Sequence, residues 1–118
     1  LSPNDIYAQE IPDSLRQKLL SATNDSVKAR ALLDIGEAIE ATATEKSFDY
    51  YQQALAVSKK IKNSKLILSS LNDIGVCYIE LNKMDSAIAI FGEAIPVAKE
   101  LNDTLRVARI TANIGNLR

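Results

Sequence analysis

A chain of 118 residues with 47% apolar and 25% charged residues suits one folded domain, and its net charge of −1 offers no basic stripe for nucleic acid. Histidine is absent and Cys77 is the sole cysteine, which removes Ser-His-Asp and Cys-His catalysis, the usual zinc sites and any intrachain disulfide. Aromatics amount to 5% without Trp, and four glycines and three prolines are too few for a many-turned β fold. The composition therefore points to close-packed helices built from Ala, Leu, Ile and Val, with no cofactor and no metal. No stretch reaches the roughly 18 apolar residues of a membrane span.

Residues 1–12 hold two prolines and no helical period, so they read as an extended leader. Small Ala8 ahead of a polar start also fits the stub of a trimmed export signal. Asp13 is placed to cap a short helix to about residue 22, with Leu15, Leu19 and Leu20 on one face. Thr23-Asn24-Asp25 breaks it and caps the next helix, about 26–41, in which Leu32, Ile35 and Ile39 recur as a buried stripe. After an Ala-Thr turn, a helix over about 46–61 carries Tyr50, Tyr51, Ala54, Leu55 and Val57 inward.

Asn63 or Ser64 then caps a helix over 65–81, with Leu68, Leu71, Ile74 and Tyr78 buried. Asn82, which tolerates a left-handed backbone, sits in the tight turn before a helix over 85–101 with Ala87, Ile90, Phe91 and Ala94 inward. Pro96 lies inside that helix, where Gly92 leaves space for a bend. Asn102-Asp103 caps a last helix running to Arg118. The expectation is six helices and no strand.

Three phrases recur on one beat. Asp34-Ile35-Gly36, Asp73-Ile74-Gly75 and Asn113-Ile114-Gly115 lie 39 and 40 residues apart. Asn24, Asn63 and Asn102 keep the same step, and Tyr51-Gln52-Gln53-Ala54 matches Phe91-Gly92-Glu93-Ala94. Such a period marks one supersecondary unit copied along the chain, each copy too small to bury its apolar face alone. The units run over about 24–62, 63–101 and, partially, 102–118, within one domain over 13–118.

The second unit, Leu71-x-x-Ile74-Gly75-x-x-Tyr78 followed by Ala87-x-x-x-Phe91-x-x-Ala94, resembles a tetratricopeptide repeat. The first unit departs from that pattern, with Ile39 for the tyrosine, Ser47 for the alanine and a turn one residue shorter. The resemblance implies an all-α fold of antiparallel hairpins stacked as a right-handed solenoid. It also implies a non-catalytic protein-interaction module. Gly75 and Ala87 would let paired helices approach, while Tyr78 and Phe91 would fill the wedge between units. More distantly, the Asp-Ser-Leu, Thr-Asn-Asp-Ser and Asn-Asp-Ile-Gly phrases are similar to sensory regions of bacterial sensor kinases and regulators. That likeness favours the periplasm over the cytoplasm. A stand-alone exported assembly factor and a small-molecule-binding domain are the alternatives.

In the resembled fold the first helix of each unit lines a concave groove that takes a protein or peptide. The corresponding residues here are Arg30, Leu33, Glu37 and Glu40, then Ser69, Asn72, Val76, Ile79 and Glu80, then Arg109, Ala112 and Asn116. Leu33 and Val76 stand where a carboxylate clamp would need polar groups, so a chaperone-type terminal clamp is not expected. Either a partner peptide or the chain's own leader (Ile6, Tyr7, Ile11) would fill the partly apolar groove. Ile110, Ile114 and Leu117 would form an uncovered end surface, belonging to a fragment of a longer array or covered by a second copy. Solvated surface charge is the expected role of Glu37 and Glu40, and packing that of Cys77.

Overall fold

The computed structural model describes residues 11–118, and among them there are six helices and no strand. They are α1 (Asp13–Leu20), α2 (Asp25–Ile39), α3 (Thr44–Lys60), α4 (Ser64–Glu80), α5 (Met84–Glu100) and α6 (Thr104–Leu117). All six expected helices form, with ends within two residues of those read from the sequence. Ile6 and Tyr7 of the leader lie outside the described residues.

Backbone chemistry at the turns explains the regularity. Lys62, Asn82 and Asn102 each adopt a left-handed conformation, with φ of 55°, 59° and 55°. At each one two amides fold back onto the end of the preceding helix. Lys62 N–H reaches the Lys59 carbonyl and Asn63 N–H the Ser58 carbonyl, and the same pair of bonds recurs at Asn82-Lys83 and Asn102-Asp103. This is the Schellman closure, which satisfies carbonyls that a helix end otherwise strands. Lys62 escaped notice in the sequence because lysine, unlike asparagine, carries no left-handed preference. The turn after α2 differs: Thr42 and Ala43 both donate to the Ile39 carbonyl, at 3.1 and 2.7 Å.

Side-chain caps fall only on the first helix of each unit. Asn24, Asn63 and Asp103 accept from the amides of Val27, Leu66 and Arg106 at 2.9, 3.1 and 3.1 Å. The second helices, entered through Ala43 and Lys83, have no such bond. At α1 the expected cap is displaced: Pro12 is the N-cap, and Asp13 is the first helical residue, paired with Arg16 at 3.7 Å. A carboxylate in the first turn still favours the helix through its dipole. Pro96 leaves α5 continuous from Met84 to Glu100; it lies on the exposed side, with open space around Gly92.

Each helix packs on its neighbours in sequence, and α2 also touches α4, the arrangement of hairpins stacked side by side. The described body is a slab of 43 × 32 × 19 Å. Within each hairpin one contact sets the spacing. A Cβ added at Gly36 would fall 2.8 Å from Cδ1 of the buried Tyr51 ring, and one at Gly75 would fall 2.6 Å from Cζ of Phe91. Phe91 therefore sits on its own hairpin's glycine, not in the wedge between units as expected. That wedge is filled by Tyr78 against Phe48, with ring centroids 5.1 Å apart.

The main core runs through Leu32, Leu33, Tyr51, Leu68, Leu71, Ile74, Phe91 and Ile110. Buried Ser58 and Ser70 send their hydroxyls back to the carbonyls of Ala54 and Leu66, so small polar residues occupy tight helix contacts at little cost. A smaller cluster of Ile11, Ile35 and Ile39 lies under Leu15 and Leu19 of α1. Leu20, expected on that face, is instead 73% exposed. The uncovered end surface also needs correction. Ile110 is buried, and Ile114 and Leu117 are half-buried against the core, because this side of α6 faces α5.

Candidate partner-binding surface

The first helices of the two complete units, α2 and α4, lie next to each other, so side chains from both share one face. Arg30 spans two turns of α2, with its guanidinium 2.8 Å from Asp34 and 3.0 Å from Glu37. All three are at least partly open to solvent, so these ion pairs orient side chains more than they stabilise the fold. Along α4, Ser69, Asn72, Val76 and Ile79 are each half-buried, and Val76 and Ile79 pack against the core. Leu33, expected in the groove, is fully buried in the main cluster and presents nothing to a partner. Arg109, Ala112 and Asn116 are exposed on α6.

Between α2 and α4 lies a group of carboxyls. Glu40 accepts the Tyr51 hydroxyl at 2.8 Å and lies 3.7 Å from the Cys77 sulfur, which in turn lies 3.5 Å from the Ser47 hydroxyl. Burial raises Glu40 above the usual carboxylate range; the neighbouring Glu80 carboxyl adds to the rise, and the donors Tyr51 and Cys77 oppose it. Asp73 is pushed up to about 8, first by burial and then by the facing carboxyl of Glu37 and the charge of Glu40, with Arg30 pulling the other way. Its Oδ2 is sealed from solvent without a donor. Two carboxylates cannot donate to each other, so these surroundings favour the protonated form of Asp73.

Cys77 follows the same logic. Burial pushes its thiol up to about 12, with the nearby Glu40 and Glu80 charges adding and Ser47 opposing. A buried, protonated thiol is a poor nucleophile, which fits the packing role. Among the described residues, no three of His, Cys, Asp and Glu are placed to hold a metal ion, and no helix is long and apolar enough to cross a membrane.

Asp73 and the Glu40–Glu80 pairing were not singled out in the sequence as sites. The signal was present, since Asp opens the recurring phrase at Asp34 and Asp73 and yields to Asn113 in the third copy. Read as a mark of repetition, it concealed a difference in burial that only the stacking of α2 on α4 creates.

A further open cleft of about 550 Å³ lies at the N-terminal ends of α4 and α6, lined by Lys65, Ser69, Asp103 and Arg106. Of the expected groove residues it gathers Ser69 alone.

A family model for the tetratricopeptide repeat matches residues 27–100, from α2 to the end of α5. The chain belongs to the tetratricopeptide repeat family. The match spans both complete hairpins, including the two glycine–ring contacts that set their spacing. Tetratricopeptide repeats are protein-interaction modules on a non-catalytic fold. A search of curated proteins finds no significant match to the chain.

Proposed function

We propose that the shared face of α2 and α4 binds an extended protein or peptide segment. We further propose that the chain is the sensory or scaffolding part of a larger bacterial signalling protein. The observation that carries the binding reading is the row of half-exposed Ser69, Asn72, Val76 and Ile79 beside Arg30 and Glu37. It offers hydrogen-bonding groups and modest apolar area on one rigid surface, the mixture an extended peptide uses. The partner's binding would favour one angle between the stacked units, and that angle would carry the signal. The signalling context rests on the similarity of the recurring phrases to sensory regions.

A photo-reactive residue at Asn72 tests the binding reading in the full-length parent protein, against the same group at exposed Gln53 on α3. Crosslinking of one partner from position 72 and not from 53 is the expected result. Equal capture from both positions would overturn the groove assignment. Pairing of two copies through α6 is the lesser reading, favoured by Leu105, which is 61% exposed there. Sedimentation at micromolar concentration checks it, and a monomer overturns it.

A further inference from the structure

Arg30 and Arg109 hold the same place in the repeat, each four residues ahead of the Asp or Asn that opens the recurring phrase. On α2 the guanidinium of Arg30 is occupied within its own helix, 2.8 Å from Asp34 and 3.0 Å from Glu37. On α6 Asn113 and Asn116 stand at the two corresponding positions, so this helix keeps the cation and lacks both carboxylates. Arg109 is exposed and has no ion-pair partner among the described residues.

Arg109 also has cationic neighbours. Leu105 and Arg106, one turn before it on α6, line the open cleft of about 550 Å³ together with Lys65 and Ser69 of α4. Lys65 is exposed and, like Arg109, has no ion-pair partner among the described residues. Asp103 is the one carboxylate in that lining. It accepts the Arg106 amide at 3.1 Å as the helix cap and lies 3.6 Å from the Arg106 guanidinium. Lys65, Arg106 and Arg109 thus outnumber the acid on this wall, although the chain as a whole has a net charge of −1. The excess is local, and it lies where Ser69 joins the cleft to the α4 row of the shared face.

Resting on the reading of the α2–α4 face as a peptide groove, we propose that its continuation between α4 and α6 selects an acidic stretch of the bound segment. Arg109 and Lys65 pair there with Asp or Glu side chains of the partner. Exposed cations of this kind discriminate by sign more than they add to affinity. The demand falls at the α6 end, because Arg30 on α2 already has its carboxylates. Side chains are the ligands, so no chain terminus is needed.

The experiment uses the whole chain. Binders are selected from a library of short random peptides fused ahead of a carrier protein, so that no peptide has a free terminal carboxylate. The expected pool is enriched in Asp and Glu over the unselected library. One selected peptide, made with an amidated end, should bind Arg109→Glu about tenfold or more weakly than the unsubstituted chain, and Lys65→Glu should also weaken it. Arg109→Lys, which keeps the charge, should retain binding. Both positions are exposed, and equal melting temperatures check that the variants fold. A pool without acidic excess overturns the proposal, as does an affinity that Arg109→Glu leaves unchanged. Asn72→Trp separates the two readings. Binding lost in Asn72→Trp but without acidic preference leaves the groove standing and removes this specificity. Acidic peptides that tolerate Asn72→Trp and fail on Arg109→Glu place the site in the α4–α6 cleft and overturn the groove reading. A library that yields no binder overturns both.

Discussion

An alanine methyl at position 36 or 75 would have to occupy space that the Tyr51 and Phe91 rings already fill. Both rings are fully buried, so neither can swing aside. Alanine gains up to about 1 kcal/mol of helix propensity over glycine, but overpacking of this kind costs about 1–3 kcal/mol. Gly36→Ala and Gly75→Ala should therefore lower stability in urea denaturation. Gly92→Ala, an identical change where the added carbon meets nothing, should raise it by about 0.5–1 kcal/mol. Equal effects at 75 and 92 would mean that backbone freedom, and not the ring, explains the glycine. The sequence marked Gly75 as a close-approach point and showed Gly36 at the same place in the repeat. It did not assign Phe91 to Gly75, because a buried aromatic satisfies the period of its helix equally well on either side of a wedge.

At the scale of the element, helix boundaries were legible because asparagine and aspartate at 24, 63 and 103 announce them chemically. Lys62 announces nothing, yet holds the same left-handed turn as Asn82 and Asn102. A lysine Cβ in that conformation is strained by about 1 kcal/mol relative to glycine. Lys62→Gly should accordingly stabilise the protein by up to about 1 kcal/mol, whereas Asn82→Gly should change it by less. Thermal melts of the two variants provide the comparison, and a destabilised Lys62→Gly would assign the side chain a role beyond the turn. The misplacement of Leu20 has an equally local cause. A helix of only eight residues, α1 lays Leu15 and Leu19 on α2, and Leu20 is carried about 100° further round.

At the scale of the whole molecule, contacts between sequence neighbours make the stack a graded structure. Helix α4 touches α2, α3 and α5, while α1 packs on α2 and has no buried residue of its own. Amides of α1 should exchange with solvent by local opening, at least about tenfold faster than those of α4, which open only with the core. Native-state hydrogen exchange checks this, and uniform protection would mean that the stack opens as one unit. The fold was readable because a repeat states its own period. The grouping of carboxyls between α2 and α4 was not, because Glu37 and Asp73 lie 36 positions apart and Glu40 and Glu80 lie 40 apart, on helices that the sequence shows as separate surfaces, and Leu33 was misjudged for the same reason.

The left-handed turns at 62, 82 and 102 recur every 20 residues, whereas the side-chain caps, glycines and rings recur only every 39 or 40. Backbone and side chains thus count in different units. Gain or loss of a single helix with its turn would leave every later turn intact, yet exchange inner for outer helices from that point onward. Outer residues such as Gln52 and Glu93 would then face the groove. Such an array can change length by inheritance only in pairs of helices, and a spliced or duplicated segment of 20 residues would fold into a protein with its binding face turned inside out.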